Sequence, residues 1–174
     1  MSPPATCCIR PLGPADEEEL ELVARRMGET LDEVLGVDRS TDRYSHEWLV
    51  NRVWQHLDPE ELTGAIFVAQ TSGVITGHTI VRLDDDGVGN PIGLFSTIFV
   101  AANYRRSGIA RALLERGEEW MLDHGVARAT TYTHEGNAGL QRLFLRQGYS
   151  MSPMPKSFVA LSKALVASSS LRPR

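Results

Sequence analysis

A chain of 174 residues, 42% hydrophobic and 23% charged, fits one domain with a core that needs no staples. Its net charge of −4 argues against general nucleic-acid binding, which calls for a basic face, and no apolar run approaches the roughly 20 residues of a bilayer span. The N-terminal Met1-Ser2-Pro3-Pro4-Ala5-Thr6 has no apolar stretch resembling a secretory signal, so the expected location is the cytoplasm. The only cysteines, Cys7 and Cys8, are adjacent; such a pair neither bridges itself readily nor closes a zinc site, so reduced thiols and no metal are expected.

Residues 1–6 and 167–174 read as flexible tails around a single domain spanning 7–166. Cys7 to Arg10 is a short strand in which the two cysteines serve as small apolar residues. Asp16 opens a helix with acids in its first turn and apolar positions Leu20, Val23, Ala24 and Met27 at helical spacing. Thr30-Leu31-Asp32-Glu33 reads as a capping box for a separate short helix stopped at Gly36. Another helix is expected from about Asp42 to Leu57, burying Trp48, Leu49, Val53 and Leu57.

From Gly64 the pattern turns to strands: Gly64–Gln70, Val74–Leu83 and Ile92–Val100. The acidic hairpin loop Asp84-Asp85-Asp86-Gly87 joins the last two, and reads as a soluble turn more than as a lure for a cationic amine. A helix at 108–124, a strand at 127–133, a helix at 137–147 capped by Gly148, and closing strands from Tyr149 and from Phe158 follow. The order implies an α/β (α+β) three-layer sandwich around one mixed sheet.

Few motifs carry chemistry. Gly87-Val88-Gly89-Asn90-Pro91-Ile92-Gly93 has the wrong spacing for a dinucleotide loop and leads into a strand. The five histidines make no metal set; His46 and His56 share a helix ten residues apart, His78 sits mid-strand, and His134 is the one retained for function. No nucleophile elbow or Ser–His–Asp order is visible.

The informative segment is Ile98-Phe99-Val100-Ala101-Ala102-Asn103-Tyr104-Arg105-Arg106-Ser107-Gly108-Ile109-Ala110-Arg111: a strand, a polar turn, then a helix start. The first turn of a helix leaves N–H groups unpaired and its dipole favours anions, so small residues at 108 and 110 let phosphate oxygens approach the main chain. Arg105, Arg106 and Arg111 add charged donors, a cationic patch suited to a small polyanion.

Arg105-x-x-Gly108-x-Ala110 resembles the Gln/Arg-x-x-Gly-x-Gly/Ala signature of the GNAT superfamily of N-acetyltransferases. Asn137 to Tyr149 resembles that superfamily's last helix, opened by an Asn and closed by a Gly-aromatic pair. Cys8-Ile9-Arg10-Pro11 and Phe158 to Lys163 resemble its first and final strands. The resemblance implies a central mixed, mostly antiparallel sheet of about six or seven strands with about four helices, and acetyl-CoA as cosubstrate without a metal. It also implies direct transfer of acetyl to a primary amine of a small molecule or peptide, with neither nucleic acid nor membrane as partner, and it admits a homodimer. By position, Ile98, Phe99 and Val100 would hold the pantetheine arm. Arg105, Arg106, Ser107, Gly108, Ile109, Ala110 and Arg111 would cradle the pyrophosphate, with Asn137 near the pantetheine from the far side. A main-chain N–H near Val100 would polarise the acetyl carbonyl.

One departure matters. Many members carry a tyrosine five residues before the closing Gly-aromatic pair as general acid, and here that position is Phe144, which donates no proton. Tyr132 and His134, which share a strand face, are the substitute catalytic candidates; Glu135 and Ser96 lie nearby. Phe144 also motivates an alternative, a non-catalytic acyl-CoA-binding sensor or regulatory module. A third reading is a protein-interaction domain with a vestigial loop.

Overall fold

The computed structural model describes residues 6–36 and 44–166. In chain order these form β1 (Cys7–Pro11), α1 (Glu17–Leu35), α2 (His46–Gln55), β2 (Gly64–Thr71), β3 (Val74–Asp85), β4 (Pro91–Val100), a single 3₁₀ turn (Ala102–Tyr104), α3 (Ile109–Asp123), β5 (Arg128–His134), α4 (Ala138–Arg146), β6 (Ser150–Met154) and β7 (Phe158–Ala164). The strands make one seven-stranded sheet in the order β1-β2-β3-β4-β5-β7-β6. Each neighbouring pair is antiparallel except β4–β5, which is parallel.

Strand alternation divides the core in two. On β2, Ile66 and Val68 pack with Leu20, Val23 and Ala24 of α1 and Leu49 and Val53 of α2. Phe67 and Ala69, one residue out of step, pack on the opposite face with Ile109, Leu113 and Leu114 of α3. Helix α4 adds Phe144 to that second layer. Two helical layers on one mixed sheet are the expected three-layer sandwich.

Two glycines let α3 lie close to the sheet. A Cβ on Gly117 would stand 2.3 Å from Cε1 of Phe95, and one on Gly93 would stand 2.3 Å from Cγ of Met121. Leu, Met and Phe therefore interdigitate where two larger residues would force the layers apart.

The N-terminal part differs from its sequence reading. Helix α1 is continuous through the expected break: Thr30 lies mid-helix and its hydroxyl donates to the Arg26 carbonyl at 3.0 Å, so it caps nothing. Backbone satisfaction within an existing helix outcompetes a local capping pattern, and Gly36, at φ 85°, ends the helix as expected. Asp16 precedes α1, but its carboxylate accepts the Gly13 N–H at 2.7 Å instead of a helical one. The expected helix start at Asp42, like residues 1–5 and 167–174 of the expected tails, lies outside the described residues; α2 is described from His46, with Ser45 accepting the Trp48 N–H at 3.1 Å. Trp48 is 46% exposed, because it borders a cavity instead of the core. Cys7 and Cys8 are exposed on the edge strand β1, not buried as small apolar residues. No helix among the described residues is long and apolar enough to cross a membrane.

Candidate active site

The site begins with an opening in the sheet. Strands β4 and β5 pair only from Gly93↔Ala129 to Phe95↔Thr131, and the Thr131 hydroxyl closes that ladder by donating to the Phe95 carbonyl at 3.0 Å. Beyond it β4 keeps β3 on one side, through Gly77↔Val100, while its other edge is open. A bulge marks the point of departure: Ile80 faces Thr97 and Val81 faces Phe95, leaving Ser96 as the extra residue.

Next to the open edge lies the turn that leads into α3. After the 3₁₀ turn, Arg105 is extended, Arg106 is left-handed at φ 62° and Gly108 is left-handed at φ 83°. Such a positive φ suits glycine, and nothing lies within 4 Å of where a Cβ on Gly108 would stand. Helix α3 starts at Ile109, and its first ladder bond runs from the Ala112 N–H to the Gly108 carbonyl at 3.0 Å. The N–H groups of Ile109, Ala110 and Arg111 thus have no place in the ladder and point at the helix mouth.

The arginines are more constrained than their sequence suggests. Arg105 staples the turn to the end of β4, its Nε donating to the Val100 carbonyl at 3.0 Å, while its Nη2 lies 3.8 Å from Glu33 of α1. Arg111 turns back onto Glu115 at 2.7 Å, and Ser107 donates to the Tyr104 carbonyl.

Two cavities converge here. One, of about 500 Å³, runs between Ile98–Val100, Arg105, Ala110 and the start of α4 at Gly136–Leu140 and Leu143. The other, of about 360 Å³, lies under α1 and α2, bounded by β4, by the β5 residues Thr131–His134 and by Phe158. Both are lined by Thr30, Val34, Ile98, Asn137 and Leu140, so they meet at the open edge of β4. Asn137 fixes that junction: its Oδ1 accepts the Leu140 N–H at 3.3 Å as the cap of α4, and its Nδ2 donates to Thr133 of β5 at 3.2 Å.

Tyr132 and His134 share a face and border the cavity under α1 and α2. Tyr132 is 43% exposed. His134 packs edge-on against Phe158, and its Nδ1 accepts the Gly136 N–H at 3.1 Å, which leaves the proton on Nε2. Phe144 lines neither cavity. It is 0% exposed, edge-on to Phe95 at 5.5 Å and to Tyr149 at 4.7 Å.

The sequence reading named Ser96 but not its partners at the polar corner of the cavity under α1 and α2. His56, just past α2, is 1% exposed; its Nδ1 donates to the Arg52 carbonyl at 2.7 Å, so Nε2 is the free lone pair and accepts from Ser96 Oγ at 3.2 Å. Burial, opposed by that carbonyl bond and aided by Arg52 and Arg82, pushes the His56 pKa down to about 4. The imidazole is therefore neutral across the physiological range, and Ser96, its own proton committed to His56, turns lone pairs toward the cavity. Forty residues separate the pair in sequence, and only the bulge and the end of α2 bring them together.

A protein-family model described as "Acetyltransferase (GNAT) family" matches residues 29–149. Among solved structures, the chain is similar to the PaiA N-acetyltransferase from Thermoplasma acidophilum in complex with coenzyme A, at 19% identity and TM-score 0.71, over 91% of this chain and 99% of that one. It is similar to an aminoglycoside N-acetyltransferase in complex with CoA, at 18% identity and TM-score 0.69, over 88% and 94%. It also resembles Arabidopsis thaliana NAA60 in complex with a bisubstrate analogue, at 16% identity and TM-score 0.64, over 92% and 98%. With a family match over most of its length, on a sheet that opens between β4 and β5 beside a helix mouth, this chain is an acetyltransferase belonging to the GNAT family.

Proposed function

We propose that the chain transfers the acetyl group of acetyl-CoA to the primary amine of a small molecule by direct attack in a ternary complex. The observation that carries this reading is the meeting of two cavities at the open edge of β4, one beside the helix mouth and one beneath α1 and α2. In this reading the pyrophosphate sits on the turn from Arg105 to Arg111, held by the N–H groups of Ile109, Ala110 and Arg111 and by the charge of Arg106. The open Gly108 position leaves room for it. The pantetheine arm lies along Ile98, Phe99 and Val100 like an added strand, with Asn137 across from it. The amine arrives through the other cavity.

Ser96 accepts a hydrogen bond from the arriving amine, and a proton released to Ser96 passes on to Nε2 of His56. The amine nitrogen bonds to the thioester carbon, the C–S bond breaks, and CoA departs with the sulfur electron pair. A proton from Tyr132, or from Nε2 of His134, returns it as a thiol. The ammonium thus yields an amide, CoA thiol and one proton to solvent.

The test is a thermal shift with acetyl-CoA, paired with thiol release over a panel of amines. Saturation at about 100 times Kd stabilises the fold by roughly 2.7 kcal/mol. Gly108→Glu, which puts a strained side chain and a carboxylate at the helix mouth, removes that shift, and Ser96→Ala lowers kcat/KM about tenfold while leaving it intact. An acetyl-CoA shift undiminished in Gly108→Glu would overturn the assignment of the turn. Binding without thiol release for any amine would favour a sensor.

A further inference from the structure

The geometry points to an acceptor that is a small amino acid with an apolar side chain, its acidic group held by Arg52 and Arg82 and its amine presented at Ser96. The inference rests on the acetyltransferase reading above and names the substrate class of the same cavity.

Among the described residues the side chains that line this cavity include Arg52, Arg82, His56 and His134 but no carboxylate. Of the nearby acids among the described residues, one already pairs with Arg82 and the others are engaged elsewhere. Asp84 accepts from Nε and Nη2 of Arg82 through a single oxygen, at 3.2 and 2.9 Å, and Asp86 is folded into its own turn with Asn90. Glu33 faces the other cavity, beside Arg105. The side-chain hydrogen-bond partner of Arg52 among the described residues is the neutral Gln55 amide oxygen, at 3.0 Å, and the charge of Asp84 also acts on it. Among the described residues the lining therefore holds more positive than negative charge, with Met27, Leu31, Leu49, Trp48 and Phe158 as its apolar part beside neutral polar groups such as Thr97, Thr133 and Asn137. A polycationic amine is disfavoured by such a wall, whereas a carboxylate meets the Arg52 guanidinium and Nη1 of Arg82, which Asp84 leaves unengaged.

The layout sets a length. Arg52 is one helical turn before His56, whose Nδ1 binds its carbonyl, and Arg82 pairs with Leu94, two positions before Ser96. At about 3.3 Å per residue Leu94 and Ser96 lie roughly 7 Å apart along β4, so the backbone of Arg82 stands one small molecule's length from Ser96. That span suits one small molecule with an amine at one end and a carboxylate at the other. The same arrangement tunes the chemistry: burial first, and then the charges of Arg52 and Arg82, depress the basicity of His56, and a carboxylate docked on the arginines offsets their field. The product is an N-acetyl amino acid, with the C–N bond formed as the C–S bond of the thioester breaks and CoA leaves as the thiol.

The experiment measures kcat/KM by thiol release for matched acceptors: apolar amino acids, their carboxamides, the corresponding amines without the acid group, their phosphonate analogues, a polyamine and an aminoglycoside. The expected result is a preference of at least about thirtyfold for the amino acid over its carboxamide, collapsing in Arg52→Gln and, separately, in Arg82→Gln. A phosphonate matching the carboxylate shows that the cavity reads acidity in general, which supports the inference. Equal rates for acid and carboxamide, a preference for the polycations, or an unchanged preference in both variants overturns it. Acetyl-CoA binding, measured by calorimetry on the same protein, separates the layers of argument. Binding with a cationic preference overturns the acceptor class alone, while no binding and no turnover of any amine overturns the underlying reading as well.

Discussion

Phe144 shows how much a single residue decides. Its ring fills the space between Phe95 and Tyr149 with no solvent exposure, and Tyr149 in turn donates to Glu118 at 2.8 Å, beside Lys163 at 3.0 Å. Burial, then the charge and hydrogen bond of Glu118, raises the Tyr149 phenol far above its usual range, so it too stays protonated and structural. Placing a hydroxyl on Phe144 buries a polar group without a partner and costs roughly 1–3 kcal/mol. Phe144→Tyr is therefore expected to lower the denaturation midpoint and leave kcat within about twofold. A gain of tenfold or more in kcat would show that this position reaches the thioester, contrary to its placement. The sequence marked Phe144 as a missing acid but carried no sign of where its ring lies. Ser96 was named from the sequence, but its meeting with His56, Arg52 and Arg82 was invisible for a related reason: those side chains meet through a strand bulge and a helix end, and neither leaves a pattern in the residues themselves.

At the scale of elements, the stretch from β4 into α3 was the most legible, because its signals are local. A strand pattern, a left-handed glycine and an amphipathic helix follow one another between Pro91 and Asp123, and each constrains only its neighbours. The break expected within α1 failed because Thr30 and Glu33 fit a capping box on paper, while the apolar stripe from Leu20 runs on against the sheet and keeps the helix whole. The contact between α3 and β4 also sets the opening of the sheet. Gly117 lets Phe95 stand against α3, and Phe95 is the last residue of β4 to pair with β5. Gly117→Ala pushes a Cβ to within 2.3 Å of that ring, so Phe95 or the helix must shift. The expected result is a loss of roughly 1–3 kcal/mol in stability together with a fall in kcat/KM, because the ring that moves ends the β4–β5 ladder. Stability lost with unchanged kcat/KM, corrected for the fraction folded, would show that the opening is set elsewhere.

The whole molecule carries two histidines folded in neutral form on the side of the sheet that packs α1 and α2. His56 has its partners, the Arg52 carbonyl and Ser96. His78 on β3 is 0% exposed, stacked on Phe99 at 5.5 Å, with neither ring nitrogen hydrogen-bonded, and Arg26 lies over the same Phe99 ring at 5.2 Å. Burial, with Arg26 adding to it, pushes the His78 pKa down to about 3, and that of His56 falls to about 4, from 6.5 for both when unfolded. Depressed values mean that the unfolded chain binds these protons first. Stability is thus full above about pH 6.5 and is lost as pH falls from there toward the folded values, at about 1.4 kcal/mol per pH unit for each histidine. Between pH 6 and pH 4.5 the two together are expected to give a slope near 2.7 kcal/mol per unit, before most carboxylates titrate. Urea midpoints at pH 7.0, 6.0, 5.0 and 4.5 measure it directly. His78→Leu removes one of the two protons and, because the imidazole has no hydrogen bond to lose, should halve the slope with little loss of stability at pH 7. A slope unchanged by that substitution would mean that His78 is protonated in the folded protein, which its full burial and the nearby charge of Arg26 argue against.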